Sequence, residues 1–332
     1  MSRTLDVYGV GHALVDVQYT LTPERLGQLG MRKGVMTLID EPQQEQLLVA
    51  LKSDTPVAQA SGGSAANTMI GVASFGGSAY YTCLLGRDEW GDFYRRDLEN
   101  AGVKSNPTHR GAGPTGKCVV LITPDADRTL NTFLGVSSQL DPEHLEEVLI
   151  QDSAYLYLEG YLVSSENGFA TCLRAQEMAR QAGTRVSLTL SDPVMVEYFR
   201  ERFEKLVAGG VDLLFCNEEE AQAFTGAGDR QAAAQQLARQ APTGCITCGK
   251  DGALVFEGGR CNLIPGVKAT AVDTTGAGDL FAGGVLFGLA RGYSLEQAAR
   301  LGNYAAAQVV ARYGPRLDRP LKGEVNPILS TL

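Results

Sequence analysis

Residues 273–279 read Asp-Thr-Thr-Gly-Ala-Gly-Asp and lead straight into the apolar run LFAGGVLFGLA. Gly276, Ala277 and Gly278 permit a tight turn whose backbone N–H groups converge on one point. A helix opening near Gly278 adds the positive end of its dipole, a setting for a phosphate or for the charge that builds on a phosphoryl group in transfer. Asp279 falls in the first helical turn, where the dipole favours its ionised form. It is therefore able to take a proton from a hydroxyl beside the phosphate. A plainer reading is open as well, in which Asp279 stabilises a helix end and the glycines only turn the chain.

Ser61-Gly62-Gly63-Ser64-Ala65-Ala66-Asn67 forms a second cluster. Its glycines allow close approach, while Ser64 and Asn67 offer hydrogen bonds to a polyol; the alternative is Ser64 as a helix N-cap with the rest as packing. Asn217-Glu218-Glu219-Glu220, after VDLLFC, has the form of a capping box with acids at the positive helix end. Two stretches, Gly111–Cys118 and Gly244–Asp251, imitate the GxxxxGK[ST] phosphate loop. Both lack the final Ser/Thr and run into strand-like residues instead of a helix, which excludes that motif. Gly9-Val-Gly11 lacks the third glycine of a dinucleotide fingerprint. Cys245 and Cys248 have CxxC spacing without a second pair, and His12, His109 and His144 are scattered, so neither set reads as a metal site.

The elements that must position these residues alternate along the chain. LDVYGVG, AYYTCLL, AYLYLEG, RVSLTL, VDLLFC and GCITCG read as buried strands, separated by helical stretches such as SAANTMIGVASFG and GFATCLRAQEMARQAG. This order predicts an α/β fold with a mainly parallel sheet and helices on both faces, ending in two consecutive helices. Residues 33–39, 117–123 and 129–134 read as strands that fit no βαβ unit. They predict a small sheet standing off the main one as a lid, with strands from about 12–20, 33–40 and 115–135 in a single domain spanning 1–332. The turn 124–128 joins the last two strands and places Arg128 at its tip.

Composition bounds the partners. The chain has 332 residues, 44% hydrophobic and 20% charged, with net charge −9, which excludes a general nucleic-acid binder and requires any anion to be held locally. No run is long enough to span a membrane. Seven cysteines with no secretory signal layout point to a reducing cytoplasm.

DTTGAGD with the following residues closely resembles the C-terminal signature of the ribokinase-like (PfkB-type) kinases, and the resemblance extends over nearly the whole chain. It implies transfer of the γ-phosphate of ATP to a hydroxyl, with Asp279 as base and Gly276, Ala277 and Gly278 as the anion hole. Ser61–Asn67 resembles the family's glycine-pair motif, which touches the substrate's sugar through Gly63, Ser64 and Asn67. Asn217 and Glu220 match its NxxE motif, which orders Mg²⁺ through water. Thr247, Gly249 and Gly252 match a turn near the nucleotide, and Asn303 the adenine pocket. K⁺ is a further cofactor that the Asp273 loop and the 311–315 turn could serve.

Within the family, the sequence is most similar to adenosine kinases. Asp16 is placed to accept from vicinal ribose hydroxyls, and His12 stands where Asn is usual, still able to donate a hydrogen bond. Met36 and Leu38, two apart, offer an apolar surface to a base, Tyr161 a stacking ring, and Arg128 a lid cation over the transferring phosphate. The expected acceptor is a nucleoside, adenosine foremost. The alternatives are a sugar such as ribose, fructose or a keto-sugar acid, and a binding protein that kept the fold without the chemistry. The protein is expected as a monomer or a homodimer joined through the lid.

Overall fold

The computed structural model describes residues 3–330 except 126 and 318. The strands, in chain order, are β1 (Leu5–Val10), β2 (Leu14–Thr20), β3 (Met36–Leu38), β4 (Ala58–Gly62), β5 (Ala79–Thr82), β6 (Leu85–Gly86), β7 (Val103–Lys104) and β8 (Arg110–Gly111). They continue as β9 (Thr115–Ile122), β10 (Arg128–Gly135), β11 (Ser153–Leu158), β12 (Arg185–Thr189), β13 (Leu213–Asn217), β14 (Thr243–Thr247), β15 (Gly252–Glu257) and β16 (Arg260–Pro265). The helices are α1 (Pro23–Gln28), α2 (Glu41–Ala50), α3 (Ser64–Ser74), α4 (Glu89–Asn100), α5 (Glu147–Gln151) and α6 (Glu166–Ala182). After them come α7 (Pro193–Ala208), α8 (Glu218–Thr225), α9 (Arg230–Leu237), α10 (Ala277–Ala290), α11 (Leu295–Val310) and α12 (Val325–Ser330).

The main sheet runs β16-β15-β14-β13-β12-β11-β1-β5-β7. From β7 to β14 every pair is parallel, and β15 and β16 close the edge as an antiparallel hairpin. Alternate strand residues feed two apolar layers. Tyr155, Tyr157, Leu213 and Phe215 pack with α3, α10 and α11, whereas Leu156, Leu158, Leu214 and Cys216 pack with α6 to α9. Both faces are covered, which is why these strands are almost continuously apolar.

The second sheet runs β3-β10-β9-β2-β4. Sequence reading found its β2, β3, β9 and β10 segments but missed β4, because Ala58–Gly62 is too small and polar to show a strand pattern. It also missed α1 and α2 between β2 and β4, and β16, which completes a hairpin with the strand-like GALVFE of β15. Arg128 is the first residue of β10 rather than part of the turn before it.

Helix α10 explains the glycines in its apolar run. Leu280 to Gly288 are all buried, because α10 lies between α3 and α11. A Cβ on Gly283 would sit 2.8 Å from Gly71 Cα of α3, and one on Gly284 2.7 Å from the Gly302 nitrogen of α11. Small residues at these crossings let the backbones approach closely, which sets the N-terminus of α3 against that of α10.

Candidate active site

A cavity of about 1050 Å³ lies between the second sheet and the C-terminal ends of β1 and β11 to β14, the edge at which parallel α/β sheets bind ligands. At its centre is Asp279, the third residue of α10. Ser64 Oγ donates to its Oδ1 at 2.7 Å and Asn67 Nδ2 to its Oδ2 at 3.0 Å. Sequence reading gave these two donors to a polyol; in the structure they hold the carboxylate. Nor is Ser64 a cap: the N-cap of α3 is Gly63, which makes no side-chain cap bond. Burial pushes the Asp279 carboxyl up from its ordinary value, opposed by Ser64, Asn67, Arg128 and Arg316. Burial is the first of these influences, and it acts against the ionised form that a position in the first turn of a helix favours.

The turn before α10 is built as anticipated in outline. Gly276 caps the helix with φ 76°, and a Cβ there would meet Pro315 at 2.9 Å. Asp273 ties the turn down, accepting from the Thr275 nitrogen at 2.9 Å, Thr275 Oγ1 at 2.6 Å and the Gly314 nitrogen at 2.8 Å. The N–H groups of Gly278 and Asp279 carry no hydrogen bond among the described residues, and Ala277 and Gly278 line the cavity. This leaves backbone donors open toward an anion beside the carboxylate.

Asp16, on β2, faces the same cavity next to β4. A Cβ on Gly62 would fall 2.1 Å from its carboxyl, and one on Gly63 2.2 Å from the His12 carbonyl oxygen, so both glycines are required by close approach. Burial raises Asp16 to about 7, against Arg316 and Arg128. His12 is buried, with Nδ1 3.1 Å from the Ser137 carbonyl oxygen and 2.9 Å from Ser137 Oγ. A carbonyl only accepts, which favours the tautomer with its proton on Nδ1. Nε2 is then an acceptor, without a partner among the described residues. The expectation that His12 donates to the acceptor molecule is corrected accordingly, and burial lowers its pKa to about 4. Met36 and Leu38 both line the cavity from β3, and Leu38 is half exposed. Tyr161 lines it from the turn after β11, its hydroxyl donating to the Ser191 carbonyl at 3.3 Å.

The other end of the cavity is bounded by Thr247, Gly249, Gly252 and Asn303. Gly252 is needed by its own hairpin, since a Cβ there would meet the Ile264 carbonyl at 2.1 Å. The Asn303 amide donates to the Ile264 and Pro265 carbonyls at 3.0 Å, so its nitrogen is committed to holding β16. Ala306, Ala307 and Val310 of α11 supply an apolar wall. Asn217 and Glu220 form a complete capping box: the Glu220 nitrogen bonds Asn217 Oδ1 at 2.8 Å, and the Glu220 carboxylate accepts from the Asn217 nitrogen at 3.0 Å and Nδ2 at 2.6 Å. Burial pushes Glu220 up to about 8. Arg128, half-buried on the cavity wall, has no side-chain hydrogen bond or ion pair among the described residues.

Sequence reading missed two residues here. Glu159, buried at the end of β11, accepts from the Ala65 nitrogen at 2.8 Å and the His12 nitrogen at 3.3 Å, and burial raises it to about 8. An acid closing the apolar strand SAYLYL was a usable signal. Arg316, in the loop after α11, reaches Asn67 and Ser61; nothing local in GPRLDRP announced it.

A family model described as pfkB family carbohydrate kinase matches residues 41–322. A crystal structure of a probable sugar kinase from Rhizobium etli superposes with a TM-score of 0.93 at 34% identity, covering 98% of this chain and 99% of that one. Adenosine kinase from Sinorhizobium meliloti superposes at 0.92 with 35% identity and the same coverage. Among curated sequences, adenosine kinase of Saccharomyces cerevisiae is 28% identical over 328 residues, 92% of this chain and 95% of its own. With its ribokinase-like fold and an acid set beside an anion-ready turn, the chain belongs to the pfkB carbohydrate kinase family and is a phosphotransferase acting on an alcohol group.

Proposed function

We propose that the protein transfers the γ-phosphate of ATP, with Mg²⁺, to the hydroxymethyl group of a nucleoside, adenosine foremost. The observation that carries the reading is Asp279, fixed by Ser64 and Asn67 next to the open N–H groups of Gly278 and Asp279 itself. A base and an anion site side by side suit in-line attack of a hydroxyl on a phosphoryl group. Asp279 accepts the hydroxyl proton, the turn receives charge on the phosphate oxygens, and Arg128 adds its cation when the second sheet closes as a lid. Asp16 and His12 Nε2 both accept, which suits an acceptor molecule rich in hydroxyl donors.

Among the described residues no group of three His, Cys, Asp or Glu could hold a metal alone. That fits Mg²⁺, which binds through one or two carboxylates together with phosphates and water. Glu220 would hold it, Asn217 keeping the carboxylate oriented. The ion would neutralise phosphate charge.

A free sugar as acceptor is the second reading, supported by the likeness to the Rhizobium etli protein. The apolar faces of Met36 and Leu38 favour a base instead. A K⁺ site between the Asp273 loop and the 311–315 turn is part of the same proposal, tested by rates in potassium against sodium salts. The main test is ATP consumption across nucleosides and sugars. Adenosine is expected to lead in kcat/KM; ribose or fructose ahead of it overturns the nucleoside reading, and no turnover with any acceptor overturns both.

A further inference from the structure

Asn67 touches Asp279 with its amide nitrogen, and its amide oxygen is also occupied. Arg316 Nη1 donates to Asn67 Oδ1 at 2.9 Å, across 249 residues of sequence. A guanidinium only donates and an ionised carboxylate only accepts. The amide between them therefore has one satisfied orientation, oxygen toward Arg316 and nitrogen toward Asp279. Without the arginine, the amide could turn and set its oxygen against the carboxylate. Arg316 is itself fixed, its Nη2 donating to Ser61 Oγ at 2.7 Å with Asp97 at 3.5 Å. Ser61 remains bonded to Asp97 through its nitrogen at 2.8 Å and Oγ at 2.7 Å, so β4 keeps that tether when the arginine is removed.

We infer that Arg316 is the positioning residue of the general base, acting through Asn67 to fix the Asp279 carboxylate for proton abstraction. It does not line the cavity and acts without touching substrate. The inference rests on Asp279 as base. The charged groups that act on Asp279 are Arg128 from β10 and Arg316, and the Asp279 charge in turn raises Asp16 from β2, Tyr157 from β11, Glu159 and Tyr161 beyond its end, and Glu220 from α8. Both arginines lower it, so losing Arg316 moves the base upward.

The test is a double-mutant cycle of Arg316→Met and Asn67→Ala, with Asp279→Asn measured beside it, reading kcat, acceptor KM, the pH profile of kcat/KM and thermal midpoint. Arg316→Met is expected to lower kcat by about 10–100-fold, the scale of a misplaced reacting group. Acceptor KM should change little, and the acid limb should move to higher pH. In the Asn67→Ala background the same substitution should cost under about twofold more, because the route is already cut. Arg316→Lys, which keeps the charge, should return most of the acid limb. If Arg316→Met does not fold, the cycle is run with Arg316→Gln. Fully multiplicative losses with an unmoved acid limb would mark Arg316 as a structural residue and overturn the inference. Loss of turnover in Asp279→Asn with unchanged kcat and acid limb in the Arg316 variant overturns the inference and leaves the base standing. Full turnover in folded Asp279→Asn overturns both.

Discussion

Asp279 is held by two neutral donors and watched by two cations, yet burial still raises its pKa. The acid limb of kcat/KM should accordingly lie above the ordinary carboxylate range, activity rising with pH as the base loses its proton; a pH–rate profile measures it. Asp279→Asn keeps size and helix compatibility and removes the proton acceptor. Turnover is expected to fall by about 10²–10⁴-fold with thermal midpoint nearly unchanged, whereas a pure helix-end role predicts nearly unchanged turnover. The neighbouring buried acids carry a stability signature. Asp16, Glu159 and Glu220 are raised to about 7, 8 and 8, so the folded state binds more protons than the unfolded chain. Their contribution is full below the unfolded pKa and lost as pH rises through the folded one. Between pH 7.5 and 8.5, above the range in which His12 titrates in either state, the ligand-free thermal midpoint should fall, and Glu159→Gln should flatten that fall.

At the scale of elements, the junction of β4 with α3 does most to place the site. Gly63 turns the chain with φ 92° against the His12 carbonyl, and the first turn of α3 then presents Ser64 and Asn67 to α10. Gly63→Ala should cost about 1–3 kcal/mol from the backbone conformation alone, with a further penalty from the 2.2 Å approach. Gly27→Ala, inside α1 with nothing within 4 Å, is the matched control and should be neutral or stabilising by up to about 1 kcal/mol. Urea denaturation of both variants checks the contrast, and only Gly63→Ala should also lower kcat.

At the scale of the molecule, helix α10, packed on the main sheet, carries Asp279 and the second sheet carries Asp16, Met36, Leu38 and Arg128. Arg128→Ala should therefore lower kcat more than it raises acceptor KM, since its cation is needed as charge moves. An effect on KM alone would assign Arg128 to ground-state binding. Adenosine should outperform 2′-deoxyadenosine, which takes one of two hydroxyl partners from Asp16, and free ribose, which leaves the Met36 and Leu38 faces bare. Steady-state kcat/KM for the three acceptors checks the order.

The alternation of buried strands and helices, the glycine turn before α10 and the acid in its first turn were legible in the sequence because each is local: a period, a glycine pattern, an acid at a helix start. So was the stand-off sheet, except for β4, whose small residues carry no pattern. The partners of the polar groups were decided by tertiary structure alone. Ser64 and Asn67 have the same types whether they face a sugar or a carboxylate, and the crossing of α3 with α10 turned them to Asp279. His12 reads equally as donor or acceptor until Ser137 takes its Nδ1. Arg316 and Glu159 act across 249 and 94 residues of sequence on the same first turn of α3. Chain separation of that size leaves no periodicity or spacing to read, because only folding brings the groups within hydrogen-bond reach.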